Sequence, residues 1–219
     1  MLSIRNRTPY ILKIYAIYLY YSARSLRLAS KCLEPLIKRS HVAIWKWLQY
    51  MDINNNLVID RRREKRRIRC IMIDETMITV KDEVYWLWVA YEPCTKKYLL
   101  MNISKDKTVF ICYNFIKRLK KLYGSKYTIY TDGASYYYNQ ACKWLRIKHL
   151  VYDSNGKNIM ERAIQYIKDR TECFDDYFQC NKDDCDKKHV KNWFKVFTVY
   201  FNVKIDLSKF IRVFNYDGG

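Results

Sequence analysis

Three acidic residues stand where they could do chemistry. Asp74 closes the apolar run Ile71-Met72-Ile73, Asp132 closes Tyr127-Thr128-Ile129-Tyr130-Thr131, and Glu161 lies inside the amphipathic segment from Asn158 to Lys168. Runs rich in Ile, Tyr and Thr read as buried strands, and a carboxylate at the end of one is costly unless it is paired or coordinates a cation. Two strand-end aspartates and one helical glutamate can together make a divalent-metal site. Two ions held ~3.5–4 Å apart by such carboxylates can activate a water or a 3′-hydroxyl and stabilise the leaving oxygen in an in-line attack on phosphorus. Two Mg2+ ions fit, because Mg2+ is hard and prefers carboxylate oxygen and retained waters; Mn2+ is expected to substitute. Each acid also has a plain structural reading: Asp132-Gly133 as turn chemistry, Asn158 and Glu161 as a capping box. Glu75, Asp153 and Glu172 are competing acids, and strand alternation should turn Glu75 away from Asp74.

The elements that must position these acids follow from periodicity. Residues 68–80, 84–91 and 97–103 read as three consecutive strands with short connections, close enough for an antiparallel meander. Residues 107–123 carry Val109, Phe110, Tyr113, Phe115, Ile116 and Leu119 at helical spacing and stop at Gly124. A strand over 127–131, a helix over 138–145, a strand over 149–152, a break at Asp153-Ser154-Asn155-Gly156 and the Glu161 helix follow. Three strands, helix, strand, helix, strand, helix is the order of the ribonuclease H-like α/β fold, a mixed sheet with flanking helices. It puts Asp74 on the first strand, Asp132 at the end of the fourth and Glu161 on a helix able to pack beside them. Tyr136, Tyr137 and Tyr138 follow Asp132 closely; core packing is the favoured role, with stacking on a splayed base as the alternative.

Ahead of this block, residues 9–21, 22–33 and 40–50 read as helices. Ser40 sits at an N-cap position, and Val42, Trp45 and Leu48 recur along one face. The arrangement resembles a helix-turn-helix preceding the catalytic fold, with Lys38, Arg39, His41, Lys46 and Gln49 available to touch DNA; a plain basic helical cap is the alternative. The expected organisation is therefore a helical DNA-binding region over 1–55, a basic linker over 56–69, a ribonuclease H-like catalytic domain over 70–182 and a C-terminal helical segment over 183–219. The linker carries Arg61, Arg62 and Arg63, read either as phosphate-tracking or as a solvated face. The C-terminal segment, with Trp193, Phe194, Phe197 and Phe201 at helical spacing, either closes the core or forms a dimer contact.

Composition selects the class of partner. The 219 residues hold 41 Lys and Arg against 22 Asp and Glu, a net charge of +19 that favours a polyanion over a small neutral substrate, with nucleic acid foremost. No stretch approaches the ~18 apolar residues of a spanning helix, so no membrane association is expected. The tyrosine-rich stretch from Pro9 to Ala23 reads as an amphipathic helix in preference to a signal peptide. Eight cysteines scattered through strands and helices fit reduced thiols in a cytoplasmic, nucleoid-associated protein. Cys173, Cys180, Cys185 and His189 cluster, but their spacing does not match the common paired zinc pattern, and packing or exposure is the alternative.

Several segments together resemble the DDE transposases of prokaryotic insertion sequences, most closely the insertion-sequence-six group. They are Ile73-Asp74-Glu75-Thr76, the aromatic strand Tyr85-Trp86-Leu87-Trp88-Val89-Ala90, Thr131-Asp132-Gly133-Ala134, and Asn158-Ile159-Met160-Glu161 followed by Ile167-Lys168-Asp169-Arg170. The similarity covers most of residues 22–180 and includes the basic residue seven positions after the glutamate, here Lys168. On a helix Asn158, Glu161, Gln165 and Lys168 share one stripe, so a carboxylate and a cation face DNA together. The stretch between Asp132 and Glu161 is shorter than the family usually shows. The resemblance implies a DDE-type transposase that cuts its element's ends and joins the 3′-hydroxyls to target DNA. Asp74, Asp132 and Glu161 would be catalytic metal ligands, and Lys168 would position a phosphate. Terminal inverted repeats and target DNA would be the partners, held by a homodimer or larger assembly. A ribonuclease H-like nuclease without strand transfer, and a non-catalytic DNA-binding protein derived from a transposase, are the alternatives.

Overall fold

The β-branched and aromatic runs of the middle of the chain become strands in the computed structural model, which describes residues 8–51, 68–80, 83–133, 135–177, 187–203 and 206–215. β1 spans Cys70–Val80, β2 Glu83–Glu92, β3 Lys97–Ser104, β4 Thr128–Thr131 and β5 Lys148–Val151. The sheet runs β3-β2-β1-β4-β5. The first three strands form the expected antiparallel meander, with Met72 opposite Tyr91 and Ala90 opposite Leu100. β4 then joins β1 in parallel and β5 joins β4 in parallel. Parallel neighbours need crossovers, and two helices supply them: α4, Val109–Tyr123, before β4 and α5, Tyr136–Leu145, before β5. α6, Ser154–Tyr177, follows β5. This is a ribonuclease H-like core.

Side-chain alternation divides the sheet into two faces. Ile71, Ile73, Trp88 and Ile129 pack with Cys112, Phe115, Ile116 and Leu119 of α4 and with Tyr137, Tyr138, Ala141 and Leu145 of α5. Tyr137 and Tyr138 are core residues, as favoured, while Tyr136 is exposed. The opposite face carries Met72 and Asp74 and meets α6, whose buried stripe is Met160, Ala163, Ile164 and Ile167. The Tyr98 hydroxyl ties α6 to β3 by donating to the Ala163 carbonyl at 2.7 Å.

Helix ends follow local chemistry. The Thr108 hydroxyl accepts from the Ile111 N–H at 3.3 Å, and α4 stops at Gly124, whose φ of 84° suits glycine. The break expected at Asp153–Gly156 is instead the first turn of α6. Asp153 caps it, its carboxylate accepting from the Gly156 N–H at 2.8 Å and its carbonyl from the Lys157 N–H at 2.9 Å. Gly156 is required there by close approach: a Cβ would lie 2.7 Å from Tyr152 Cβ and 3.2 Å from Met72 Cε. Asn158 is therefore inside the helix, not a cap.

Two compact units divide the chain, residues 59–194 and residues 1–58 with 195–219. In the second, α1 spans Tyr10–Ala23, α2 Leu26–Leu33 and α3 His41–Tyr50. Ser25 and Ser40 cap α2 and α3, accepting from Leu28 and Ala43 N–H at 3.2 and 3.3 Å. α3 buries only part of the expected face: Leu48 is inside together with Ile44, four residues before it, while Val42 is exposed and Trp45 half-buried. The remaining helices are α7, Lys187–Asn202, and α8, Leu207–Asn215. From Lys195 onward the tail completes the N-terminal helical unit, a role neither sequence alternative named: Tyr200 stacks on Tyr21 at 5.4 Å and Phe210 meets Tyr18 at 5.7 Å. Most of the basic linker, with Arg61, Arg62 and Arg63, lies outside the described residues, as do Cys180, Cys185 and the Cys173 side chain.

Candidate active site

β1 and β4 bring the two aspartates together. Met72 pairs with Tyr130 in the parallel ladder, and Asp74 and Asp132 follow two residues beyond that pair, near enough for the charge of Asp132 to act on Asp74. Burial pushes the Asp74 carboxyl up to about 7, with the charges of Glu75 and Asp132 adding to the rise; the Glu75 N–H, donating at 2.8 Å, and Lys107 pull the other way. A carboxyl that resists ionisation beside a second carboxyl is the electrostatic signature of a place suited to a cation.

Tyr152, directly after β5, was not singled out in the sequence. Its N–H donates to the Thr131 carbonyl at 3.0 Å. Burial, then the charges of Asp74, Asp132, Glu161 and Glu75, hold its hydroxyl far above its ordinary value, so one phenol lies within the field of four acids. Its signal in the sequence was weak: a tyrosine closing a four-residue strand. His149 on β5 lies near the same strand ends, its Nε2 2.8 Å from Thr131 Oγ1, and burial lowers its proton affinity.

Glu75 faces away from Asp74, as alternation required. Its carboxylate accepts from Tyr137 at 2.5 Å and from Tyr138, and pairs with Lys107 at 3.1 Å, whose ammonium lies over the Trp86 ring. A buried acid on β1 thereby fixes the start of α5, and with it the loop that carries Asp132.

Glu161 and Lys168 lie on the exposed stripe of α6 with Asn158 and Gln165. Glu161 is 3.8 Å from Lys157. Of the residues expected to touch DNA, Lys38 and Lys46 are exposed and His41 is half-buried. Gln49 is buried, which withdraws it from such a surface. Arg39 is half-buried, and its guanidinium donates to Thr8 Oγ1 at 2.6 Å and to the Lys38 carbonyl at 2.9 Å, so it braces the helices.

The enzyme expected from the resemblance, a DDE-type transposase with a three-carboxylate metal centre, requires correction. Among the described residues the group of three whose ligand atoms all lie within 4.8 Å of one another is Cys70, Glu92 and Cys94, not Asp74, Asp132 and Glu161. The physical reason is placement: Asp74 lies within β1 and Asp132 just past β4, while Glu161 projects from the solvent side of α6 toward Lys157. The cysteine group has its own electrostatics. Burial, then the neighbouring Cys94 and Glu92, push the Cys70 thiol up to about 11. The expected antiparallel meander held the clue to it, because that register returns the β2–β3 connection to the start of β1.

The fold is ribonuclease H-like, and its neighbouring strands bring the carboxyls of Asp74 and Asp132 into each other's field. The chain belongs to the family of the uncharacterized protein MJ0017 of Methanocaldococcus jannaschii, with which it is 30% identical over 199 residues, 90% of this chain and 88% of that one. No protein-family model matches it. Among solved structures it is similar to a chain of the simian T-cell lymphotropic virus intasome in complex with PP2A regulatory subunit B56 gamma (TM-score 0.45, 15% identity, 81% of this chain and 67% of that chain). It is also similar to the HTLV-2 integrase catalytic core domain in complex with magnesium, in its trimeric form (TM-score 0.44, 17% identity, 59% and 84%). A third is the BIV integrase catalytic core domain (TM-score 0.41, 18% identity, 69% and 86%).

Proposed function

We propose that this protein cleaves nucleic-acid phosphodiesters with a divalent cation held by Asp74 and Asp132. The observation that carries the reading is the nearness of these two carboxylates on neighbouring parallel strands, Asp74 within β1 and Asp132 just past β4, where a bound cation would take the place of the proton that Asp74 holds. Mg2+ suits the oxygen donors, with Mn2+ substituting, and when bound would polarise the phosphoryl oxygen and lower the proton affinity of an attacking water. The protein's own share is positional: Glu75 fixes the Asp132 loop, and Tyr152 closes the site beside both aspartates. Lys168, exposed on α6, would meet a backbone phosphate in this reading, and the +19 charge would supply affinity without sequence information.

Sequence selection falls in this reading to the N-terminal helices, through Lys38, His41 and Lys46, on DNA in the nucleoid. The segments quoted around Asp74, Asp132 and Glu161 support kinship with insertion-sequence proteins, which makes the terminal repeats of its own element the substrate to try first and a homodimer the form expected to hold two of them. A DNA-binding protein without cleavage is the second reading, favoured by the exposed, Lys157-paired Glu161.

The test is incubation of the full chain with end-labelled DNA carrying its gene's flanks, in Mg2+, Mn2+ or chelator, beside Asp132→Asn. Metal-dependent cuts reduced at least ~100-fold in the variant are expected. Tight binding with no cuts in either metal would select the second reading, and cuts unaffected by Asp132→Asn would remove Asp132 from the chemistry.

A further inference from the structure

We propose that Cys70, Glu92 and Cys94 form a binding site for one thiophilic divalent cation of the zinc type, independent of the Asp74 and Asp132 pair. Cys70 opens β1, Glu92 closes β2, and Cys94 lies in the turn to β3. The antiparallel register, Met72 opposite Tyr91, returns that turn to the start of β1, and an irregularity in the β2–β3 ladder falls just before it, between Ala90 and Tyr91. The two sulfurs and a carboxylate oxygen end within 4.8 Å of one another.

Glu92 is fixed before any ion arrives. It is 2% exposed, and its carboxylate accepts from the Cys94 N–H at 3.0 Å, from the Thr95 N–H at 2.7 Å and from the Thr95 hydroxyl. An ionised carboxylate has about four acceptor positions, so the three turn bonds leave one to face the sulfurs. Cys94 is exposed, which gives an entry path, and Cys70 is half-buried. Two thiolates select a soft or borderline ion over Mg2+, and three protein ligands leave one tetrahedral position for water. Binding forms two metal–sulfur bonds and releases two thiol protons to solvent. The ion would staple the start of β1 to the β2–β3 turn.

The experiment is a Cd2+ titration of the full chain carrying Cys173→Ser, Cys180→Ser and Cys185→Ser, which removes the other cysteine cluster. Expected are one ion bound per chain, a thiolate-to-cadmium absorption band and release of two protons. Cys94→Ser, at an exposed position, should abolish the band with the fold retained by circular dichroism. Glu92→Gln should weaken binding more than ~100-fold, since even outer-shell partners of metal sites are worth about 10–100-fold. A band that survives Cys94→Ser, no band at all, or a Cys70–Cys94 disulfide that takes up no ion after reduction would each overturn the proposal. DNA cleavage is not a readout, so failure here and failure of the proposed function are separable.

Discussion

Replacing Asp74 by Asn removes a charge that the fold holds at a cost, and the benefit should grow with pH. The Asp74 carboxyl is raised from 3.8 to about 7, mainly by burial. Between those values the folded chain keeps a proton that the unfolded chain has lost, so the wild-type protein loses stability as pH rises through that window and levels off above it. At ~1.4 kcal/mol per unit, the wild type loses up to about 3 kcal/mol relative to Asp74→Asn between pH 5 and 8.5. Partial exposure of Asp74 reduces this to roughly 1.5 kcal/mol, because effective dielectric constants at such sites are high. Asn preserves the acceptor for the Glu75 N–H, which now donates at 2.8 Å, so the comparison isolates the charge. Urea unfolding of both proteins at the two pH values, at fixed ionic strength, measures the gap. With a slope of about 2 kcal/mol/M, the difference between their midpoints should widen by about 0.75 M from pH 5 to pH 8.5. Mg2+ should raise the wild-type midpoint at pH 8.5 and leave that of Asp74→Asn unchanged, because an ion that binds only the folded pair stabilises it. A gap that stays constant with pH would refute the argument that Asp74 titrates in the folded chain near neutrality.

Two further substitutions probe how the site is held. Glu75→Gln should cost roughly 2–3 kcal/mol of thermal stability, because the carboxylate, whose side chain is 8% exposed, loses charge-assisted bonds from Tyr137, Tyr138 and Lys107; a melting temperature within a degree of wild type would show that the amide replaces it. Gly156→Ala puts a Cβ 2.7 Å from Tyr152 and 3.2 Å from Met72, so the start of α6 must shift at a cost of about 1–3 kcal/mol. Metal-dependent cleavage, measured well below the melting temperature, should fall in that variant because Tyr152 moves with the shift, and full activity would separate α6 placement from the chemistry.

The sheet was legible because its signals are local. Ile71-Met72-Ile73 and the aromatic strand around Trp88 alternate or run apolar, and short connections allow only hairpins between them. Ser40 announced α3 correctly because capping is decided within four residues. The helical faces were less legible: Val42 and Trp45 have the right spacing for a buried stripe, yet Ile44 and Leu48 took the interior, since which stripe turns inward depends on the neighbouring helix. Asp153–Gly156 read as a loop from its residue types, but there one acid caps and one glycine permits close approach, properties visible only against Tyr152 and Met72. The aspartate pair could be read because each acid closes an apolar or aromatic run, although β1 continues past Asp74 to Val80. The role of Glu161 could not, because a position on a helix stripe fixes direction about the axis and not distance from the strands. The cysteine group was not legible because Cys70 is 22 and 24 residues from Glu92 and Cys94 and meets them only through hairpin register.

The crossover through α4 also orders the assembly of the site in time. Asp74 belongs to strands joined by short turns, whose pairing closes small loops and is fast, whereas Asp132 reaches it only after the parallel β1–β4 ladder closes across a helix and more than fifty residues. A chain emerging from the ribosome therefore completes its meander with Asp74 already in place within β1, and gains the second carboxylate only once β4 has been made and docked. The meeting of the two carboxylates is in this sense a late product of folding.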